Sequence, residues 1–505
     1  MNNTKIDIGK VNKLILIISM IMVFVYFSWW LIPSHVGNKY FYDLLFIGEI
    51  YHVVMVLTFI HTVWPGAKKN RQLKPYDPQY KPSVDIYIPV VNEPWSVIYK
   101  TAKAAVDIKY PHCKVYILND GYVAGNPRWQ EPEKIARDLG ITCITRRKPG
   151  GAKAGNINHA LNETSGELIA IFDADMIPYP EFLKKTVPYF SGKDIGFVQT
   201  PQYYKNYWQN EITAGAWEQQ RFFFGPILKG KERVNASFIC GTNVVIRRKA
   251  LMDVGGMYDK SITEDFLTSI FIHQKGWRSY YIPEILSEGL APQDLLSYYK
   301  QQSRWAKGTL EVIFVQNPLF KSGLSIGQKI QYLTSALFYL NGLVVLIDII
   351  MPLLFFYFGI QVVSGSTTSF AVFFIPYMAL NLYCPFVASN NNMTFRALSF
   401  SHSSWFLQLS ALKSVLLGEK SQFTVTPKQA QQGNFLYLVY PHLFYIIAGV
   451  VGSIIAIGRG GLTPSVATNI AWTFFNISMF LPFIKASYQW ETVFNLNPKS
   501  ALKKL

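Results

Sequence analysis

"ELIAIFDADM", residues 167–176, carries an unbroken apolar run that ends at two aspartates. A run this short, flanked by polar residues, reads as a strand buried on both faces, because a half-exposed strand alternates apolar and polar positions. "VDIYIPVVNE" (84–93), "CKVYILNDG" (113–121) and "IGFVQTP" (195–201) are candidates of the same kind, each bounded by turn residues. Helical patterns such as "PWSVIYKTAKAAVDI" and "NINHALNET" lie between them. Strand–helix–strand alternation predicts a mainly parallel α/β sheet, whose ligands bind beyond the carboxyl ends of the strands. Chemistry is expected where these runs stop, and they stop at Glu93, Asp120, Asp173 and Asp175.

Half of the 505 residues are hydrophobic and only 16% are charged, a balance that fits a membrane protein with one sizeable water-soluble part. The net charge of +17 fits basic flanks on the cytoplasmic side of membrane spans, or an anionic substrate. No basic run or nucleic-acid motif appears, so nucleic acid is not expected as a partner. The cysteines, Cys113, Cys143, Cys240 and Cys384, form no C-x-x-C pair, which predicts reduced thiols and neither a disulfide framework nor a zinc site.

Apolar runs at residues ~13–33, ~44–64, ~333–361, ~369–389, ~434–457 and ~464–485 are each long enough to span a bilayer. No small-residue cleavage site follows the first, which predicts an anchor and not a signal peptide. Lys68, Lys69, Arg71 and Lys74 mark the cytoplasmic side, while "QVVSGSTT" and "GRGGLTP" are nearly free of charge. Six spans in the plasma membrane are expected, with both termini and residues 68–320 in the cytosol. Asp348, inside the third span, should face either a polar contact between helices or a water-filled path. Residues 396–422 read as one amphipathic helix on the membrane surface.

Three clusters carry the candidate chemistry. In extended chain, residues two apart point the same way, so Asp173 and Asp175 can face one ligand across Ala174. Two such carboxylates suit a hard divalent cation, which in turn binds phosphate oxygens; an ordinary turn is the plainer reading. "SITEDFLTS" (261–269) places Glu264 and Asp265 before a helical stretch, where Thr263 or Glu264 can serve as a cap and Asp265 as a general base. "GGAKAGNINHA" (150–160) sets Lys153 in a glycine-rich turn before a helix, an arrangement that suits a diphosphate but lacks Walker A spacing.

Taken in order, "IPVVNEP", "YILNDG", "KAGNINHA", "FDADMIP", "VQTPQ", "NASFICGTN", "TED", "QQSRW" and "FTVTPK" make the specific pattern. The chain resembles the membrane-embedded, processive family 2 glycosyltransferases, most closely the catalytic subunit of bacterial cellulose synthase. The resemblance covers roughly residues 83–430 and implies an α/β, Rossmann-like GT-A domain at 68–320. Around it would lie two helices at 1–67, two at 321–395, an interface helix and gating loop at 396–432, and the last two helices with a tail at 433–505. By the same likeness Glu93 and Asp120 line the UDP-sugar site, with Asp120 on the uridine and Lys153 on the diphosphate. Asp173 and Asp175 form the D-x-D, Asp175 being the direct ligand of Mg²⁺ or Mn²⁺. Asp265, beside Glu264, is the base.

Gln301, Arg304 and Trp305 match Q-x-x-R-W. This implies that Arg304 pairs with the departing diphosphate and Trp305 offers a flat face to the polymer's terminal sugar. Without the other motifs, Trp305 reads as a membrane-belt aromatic. By the same resemblance Cys240 would lie beside the acceptor as a small, shape-fitting residue, and Thr426 and Lys428 would contact nucleotide from a mobile loop. The implied reaction is a single inverting displacement that polymerises glucose from UDP-glucose into a β-glucan, secreted through the chain's own channel. The product would be cellulose or a capsule or exopolysaccharide glucan. The rival readings are a hyaluronan- or chitin-type synthase using UDP-GlcNAc and a catalytically inactive polysaccharide channel; homo-oligomerisation stays open. The departures are Val90 and Val91 in place of a hydroxyl residue, Asn119 in place of an acid, two spans before the α/β domain, and no match to a PilZ domain, so cyclic-di-GMP control in cis is not expected.

Overall fold

The computed structural model of the protein describes residues 5–65, 77, 79–419, 431 and 433–488. Its strands are β1 (Val84–Val90), β2 (Cys113–Asn119), β3 (Thr142–Thr145), β4 (Leu168–Ile171), β5 (Ile177–Pro178), β6 (Ile195–Gln199), β7 (Val244–Arg247), β8 (Arg278–Tyr281) and β9 (Ser287–Glu288). Seven of them form one sheet in the order β3–β2–β1–β4–β7–β6–β8, and β5 pairs with β9 in a separate ribbon. The pairings β1–β2, β1–β4, β2–β3 and β6–β8 are parallel; β7 runs against both β4 and β6. The mainly parallel sheet expected from the apolar runs is thus present, with one reversed strand.

Period-two alternation explains why those runs are continuous. Ile86, Ile88, Leu168 and Ala170 enter one core with Ile98, Ala102 and Ala105 of the helix Trp95–Val106. Tyr87, Ile169 and Ile171 enter a second core with Ala154, Ile157 and Ala160 of the helix Ala152–Glu163. Most central strand residues meet a helix on one side or the other, so they are apolar on both faces, with Asp85 of β1 a buried exception.

A buried ion pair locks the amino-terminal edge of this sheet. Arg248 Nη2 donates to Asp85 Oδ2 at 2.7 Å, and the same oxygen accepts the Gly166 amide at 2.6 Å. The guanidinium also holds the carbonyls of Leu161 and Gly166, so it ties β1 to the end of the helix Ala152–Glu163.

Among the described residues, six helices are long and apolar enough to cross a membrane: Lys13–Trp30, Lys39–Val63, Ile326–Phe358, Thr367–Ala388, Leu436–Gly460 and Pro464–Ser487. They match the six expected runs, except that the third starts earlier. Its first part, Ile326–Leu337, is held by the α/β domain: Tyr332 is fully buried against Phe266, and its hydroxyl meets His273 Nδ1 at 2.6 Å. The basic cluster at residues 68–74 lies outside the described residues.

The stretch 396–422 differs from the single amphipathic helix expected. Its described part, 396–419, forms two helices, Phe395–Ser403 and Trp405–Leu416, that meet at Ser404; 420–422 lie outside the described residues. Serines explain the break. Ser404 Oγ donates back to the Phe400 carbonyl, while Ser399 and Ser403 donate to Met479 of the sixth span, so each half answers to a different neighbour. The second half packs Leu407 and Ala411 on Ala306 and Leu310 of the helix Leu295–Val315.

Replacing Arg248 by Met leaves the Asp85 carboxylate buried and unpaired, so Arg248→Met is expected to destabilise the α/β domain by about 3–5 kcal/mol. Thermal unfolding of the detergent-solubilised chain measures it; an unchanged midpoint contradicts the ion pair's role.

Candidate active site

A cleft of about 720 Å³ opens at the carboxyl ends of β1, β2 and β4, beneath the helix Leu295–Val315. It is lined by Glu93, Asp120, Lys153, Asp173, Asp175, Cys240, Glu264, Asp265, Gln301, Arg304 and Trp305, so every described candidate from the sequence meets in one place. Thr426 and Lys428 lie outside the described residues.

Asp120 follows β2 directly, but it does not stand alone. Arg146 spans its two oxygens as a planar fork, with Nε to Oδ1 at 2.8 Å and Nη2 to Oδ2 at 2.6 Å. Burial pushes the Asp120 carboxyl above its ordinary range, and Arg146 pulls it back in part. Arg146 escaped the sequence reading because β3, "TCIT", is too short and mixed to register as a strand. Glu93 turns back on its own loop, Oε2 accepting the amides of Val91 at 2.7 Å and Asn92 at 3.2 Å, so part of its carboxylate shapes the rim of the cleft. Asn119 is fully buried; it donates to the Trp129 carbonyl at 2.7 Å and accepts the Gly121 amide at 2.9 Å, a structural use that accounts for an amide there.

The D-x-D pair is not an extended segment. β4 ends at Ile171, and the Met176 amide closes a turn on the Asp173 carbonyl at 2.9 Å. The alternation expected for Asp173 and Asp175 therefore does not apply: Asp173 is partly exposed and its amide donates to Thr242 Oγ1 at 2.9 Å, while Asp175 is buried. Lys153 also differs in setting. It stands in the first turn of the helix Ala152–Glu163, with Gly151 (φ 65°) as the residue before it. Its ammonium pairs with Asp173 and donates to the Gly241 carbonyl at 2.7 Å. Gly241 has φ +79°, and a Cβ there would stand 3.2 Å from Asp265 Oδ2 and 3.5 Å from Lys153 Nζ. Only glycine suits that approach.

Glu264 and Asp265 are the first two residues of the helix Glu264–Gln274, and Thr263 makes no side-chain cap bond. Asp265 Oδ1 accepts the Phe266 amide at 2.8 Å. Burial pushes both carboxyls up, Glu264 to about 7; the charge of Asp265 adds to the rise of Glu264 and that of Asp173 to the rise of Asp265, while Lys153 and Arg304 pull the other way. The two titrate as a pair. Lys153, surrounded by Asp173, Glu264 and Asp265, is held above the ordinary lysine value despite its burial.

Gln301, Arg304 and Trp305 share one face of the helix Leu295–Val315, as their i, i+3, i+4 spacing requires. Asp294 caps that helix, accepting the Ser297 amide and hydroxyl at 2.8 Å each. Tyr204 lines the cleft from the segment after β6; it is almost fully buried and stands near Gln301, Asp175 and Arg304. A tyrosine in a stretch as aromatic as "PQYYKNYW" carries no signal of its own. Cys240 sits among these groups, its amide donating to Gln199 Oε1 at 2.9 Å, and burial pushes its thiol well up.

Residues 82–308 match the family model for glycosyltransferase-like family 2, and residues 251–459 match that for cellulose synthase. A UDP-forming cellulose synthase catalytic subunit of Xanthomonas axonopodis pv. citri (strain 306) is 31% identical over 493 residues, 93% of this chain and 67% of that protein. The chain belongs to the cellulose synthase family of family 2 glycosyltransferases. This family member is also 28% identical over 500 residues to the corresponding subunit of Pseudomonas fluorescens (strain SBW25), covering 93% of itself and 66% of the relative. It spans 56% of the cellulose synthase 1 catalytic subunit of Komagataeibacter xylinus, so it covers between about half and two thirds of the length of these relatives. A mannosyltransferase from Pyrobaculum calidifontis, solved with GDP-Man and Mn²⁺, superposes with a TM-score of 0.54 at 18% identity over 75% of this chain and all of that one. The shared architecture is the GT-A fold.

With its thiol pushed up, Cys240 of this family member is expected to resist iodoacetamide at pH 7.5, modifying at least tenfold more slowly than a free thiol. Peptide mass spectrometry follows the label; reaction at the free-thiol rate contradicts the assigned environment.

Proposed function

We propose that this family member polymerises glucose from UDP-glucose into a β-glucan by an inverting displacement, and passes the product through its own membrane helices. The observation that carries the reading is the meeting of a base, a cation pair and an aromatic face in one cleft. Asp265, Lys153 with Arg304, and Trp305 all line it, although they come from three different helices.

In the proposed reaction, Asp265 as a carboxylate takes the proton of the acceptor hydroxyl. The freed oxygen bonds to the anomeric carbon from the face opposite UDP, and the bond from that carbon to the diphosphate breaks. Lys153 and the guanidinium fork of Arg304 take up the negative charge that develops on the leaving group. Asp120, with Arg146, holds the uridine. Trp305 keeps the terminal sugar at the cleft by stacking, with Gln301 bonding its hydroxyls.

Asp173 and Asp175 fit a nucleotide-bound Mg²⁺ or Mn²⁺. Such ions take one or two carboxylates together with phosphate oxygens and water, and no cluster of three or more ligating residues exists among the described residues to suggest an all-protein cage. When bound, the ion supplies further neutralisation of the diphosphate.

The sequence places the α/β domain in the cytosol by loop charge. The conduit is supported by a cavity of about 310 Å³ inside the bundle, lined by groups from five spans, among them Ser19, Glu49, Asp348, Tyr377 and Trp472. Asp348 thus borders a space, not lipid alone.

Purified full-length chain with radiolabelled UDP-glucose and Mn²⁺ tests the reading: an insoluble, glucanase-sensitive polymer is expected. Polymer only when UDP-GlcNAc is supplied supports the hyaluronan- or chitin-type alternative, and no UDP release from any donor overturns catalysis. Asp265→Asn is expected to lower turnover by roughly 10²–10⁴ while UDP still binds. The raised carboxyl pair sets the pH dependence. The base is lost as pH falls through its raised value, so the acid limb should lie above the ordinary carboxylate range. Glu264 is raised to about 7 and so is already protonated where Asp265 gains its proton, and Glu264→Gln should leave that limb in place. A limb inside the ordinary carboxylate range removes Asp265 from the mechanism.

A further inference from the structure

The intramembrane cavity holds titratable groups that the proposed chemistry does not use. Glu49 and His52 come from the second span and Asp348 from the third, and all three line it. His52 Nε2 lies 3.5 Å from Asp348 Oδ2, and the Tyr26 hydroxyl donates to Glu49 Oε2 at 2.9 Å. Phe374, Tyr377 and Trp472 supply flat apolar faces. One turn beyond Trp472 in the sixth span, Asn476 meets His402 Nε2 at 3.0 Å, and the helix bearing His402 is tied to the α/β domain through Ser401 and Gln219 at 3.0 Å. Polar contacts therefore link the sixth span, which helps to line the cavity, to the α/β domain.

Its charge is one-sided. Among the described residues that line the cavity there is no lysine or arginine, and the one group able to become a cation, His52, already faces Asp348. We propose that this cavity is a charge-selective sugar subsite, which admits an uncharged or cationic chain and refuses one that carries uronate carboxylates. Carboxylates and tyrosine hydroxyls hydrogen-bond the hydroxyls of a neutral sugar, and the aromatic faces cover its C–H surface. A uronate placed there loses its hydration, meets acceptors of its own sign and finds no counter-ion, in a medium too poorly polarisable to screen the repulsion. The +17 net charge of the whole chain does not reach this place, because none of the described lining carries it. The inference rests on the conduit reading above and extends it from the existence of a path to the charge class of the product, which excludes a hyaluronan-type polymer.

Asn381, half-buried, lines the same cavity, and Asn381→Cys in a Cys384→Ser background supplies a reporter thiol, because Cys384 itself is buried with Sγ 3.2 Å from Ser19 Oγ. The full-length protein in lipid nanodiscs is treated with methanethiosulfonates bearing a trimethylammonium, a sulfonate or a plain methyl group. Modification of the introduced thiol is followed by peptide mass spectrometry, with rates divided by those of 2-mercaptoethanol. The expected result is a cation-over-anion ratio at least tenfold above the free-thiol ratio, falling towards it when Glu49→Gln or Asp348→Asn is added. The reporter's own ratio alone decides the matter if either added variant fails to fold. A ratio equal to the free thiol's, a preference for the sulfonate, or labelling by the neutral reagent alone overturns the charge filter but leaves the conduit standing. Failure of all three reagents to label the introduced thiol overturns the conduit itself.

Discussion

Four carboxyl groups, Asp173, Asp175, Glu264 and Asp265, line one cleft with the Lys153 ammonium held among them, and this crowding of like charge constrains everything else at the site. Two unit charges about 4 Å apart still interact by about 4 kcal/mol at an effective dielectric of 20. Such a cluster persists only where cations face it and where part of it stays protonated. The fold supplies both. Lys153 enters on the first turn of a helix, Gly241 clears the space for it, and Arg304 arrives from the helix Leu295–Val315. A site with this surplus of negative charge also prefers further positive charge, which suits a divalent ion carried in with a nucleotide.

That last helix joins the chemistry to the membrane. Its capped start and its packing on Trp405–Leu416 fix the positions of Gln301, Arg304 and Trp305, and it leads into the third span within about a dozen residues. The joint is stiffened by polar contacts where lipid-facing and water-facing parts meet. Lys231, 3% exposed, donates to the Gln331 carbonyl at 2.6 Å, and its burial lowers it to about 7. Gln331 in turn bonds Thr62 at the end of the second span. The α/β domain is therefore seated on the spans by buried hydrogen bonds as well as apolar contact, so movement of one is resisted by the other.

Much of this was legible in the residues. The sheet announced itself because strands buried on both faces must be apolar throughout, and the acids at Glu93, Asp120, Asp173 and Asp175 stood where those runs ended. What stayed hidden has a physical pattern. β3 and β8, "TCIT" and "RSYY", are short and mixed in polarity, so their periodicity is too weak to read, and Arg146 disappeared with β3. The D-x-D was read as extended because the spacing allows it, but the turn on Asp173 is made by backbone bonds that composition does not encode. Ser399 and Ser403, just before the break between the two helices, act through Met479 of the sixth span, and no local signal reveals that partner. Short strands whose pairing is long-range, and turns made by backbone bonds, are what the residues did not reveal.

The most direct measurement is a structure of the full-length protein with UDP and Mn²⁺, the ion located by its anomalous signal. The account predicts manganese on the Asp173–Asp175 turn, the diphosphate against Lys153 and Arg304, and the base beside the Asp120–Arg146 pair. Manganese held by Glu264 and Asp265, or a nucleotide bound away from the ends of β1, β2 and β4, would contradict it.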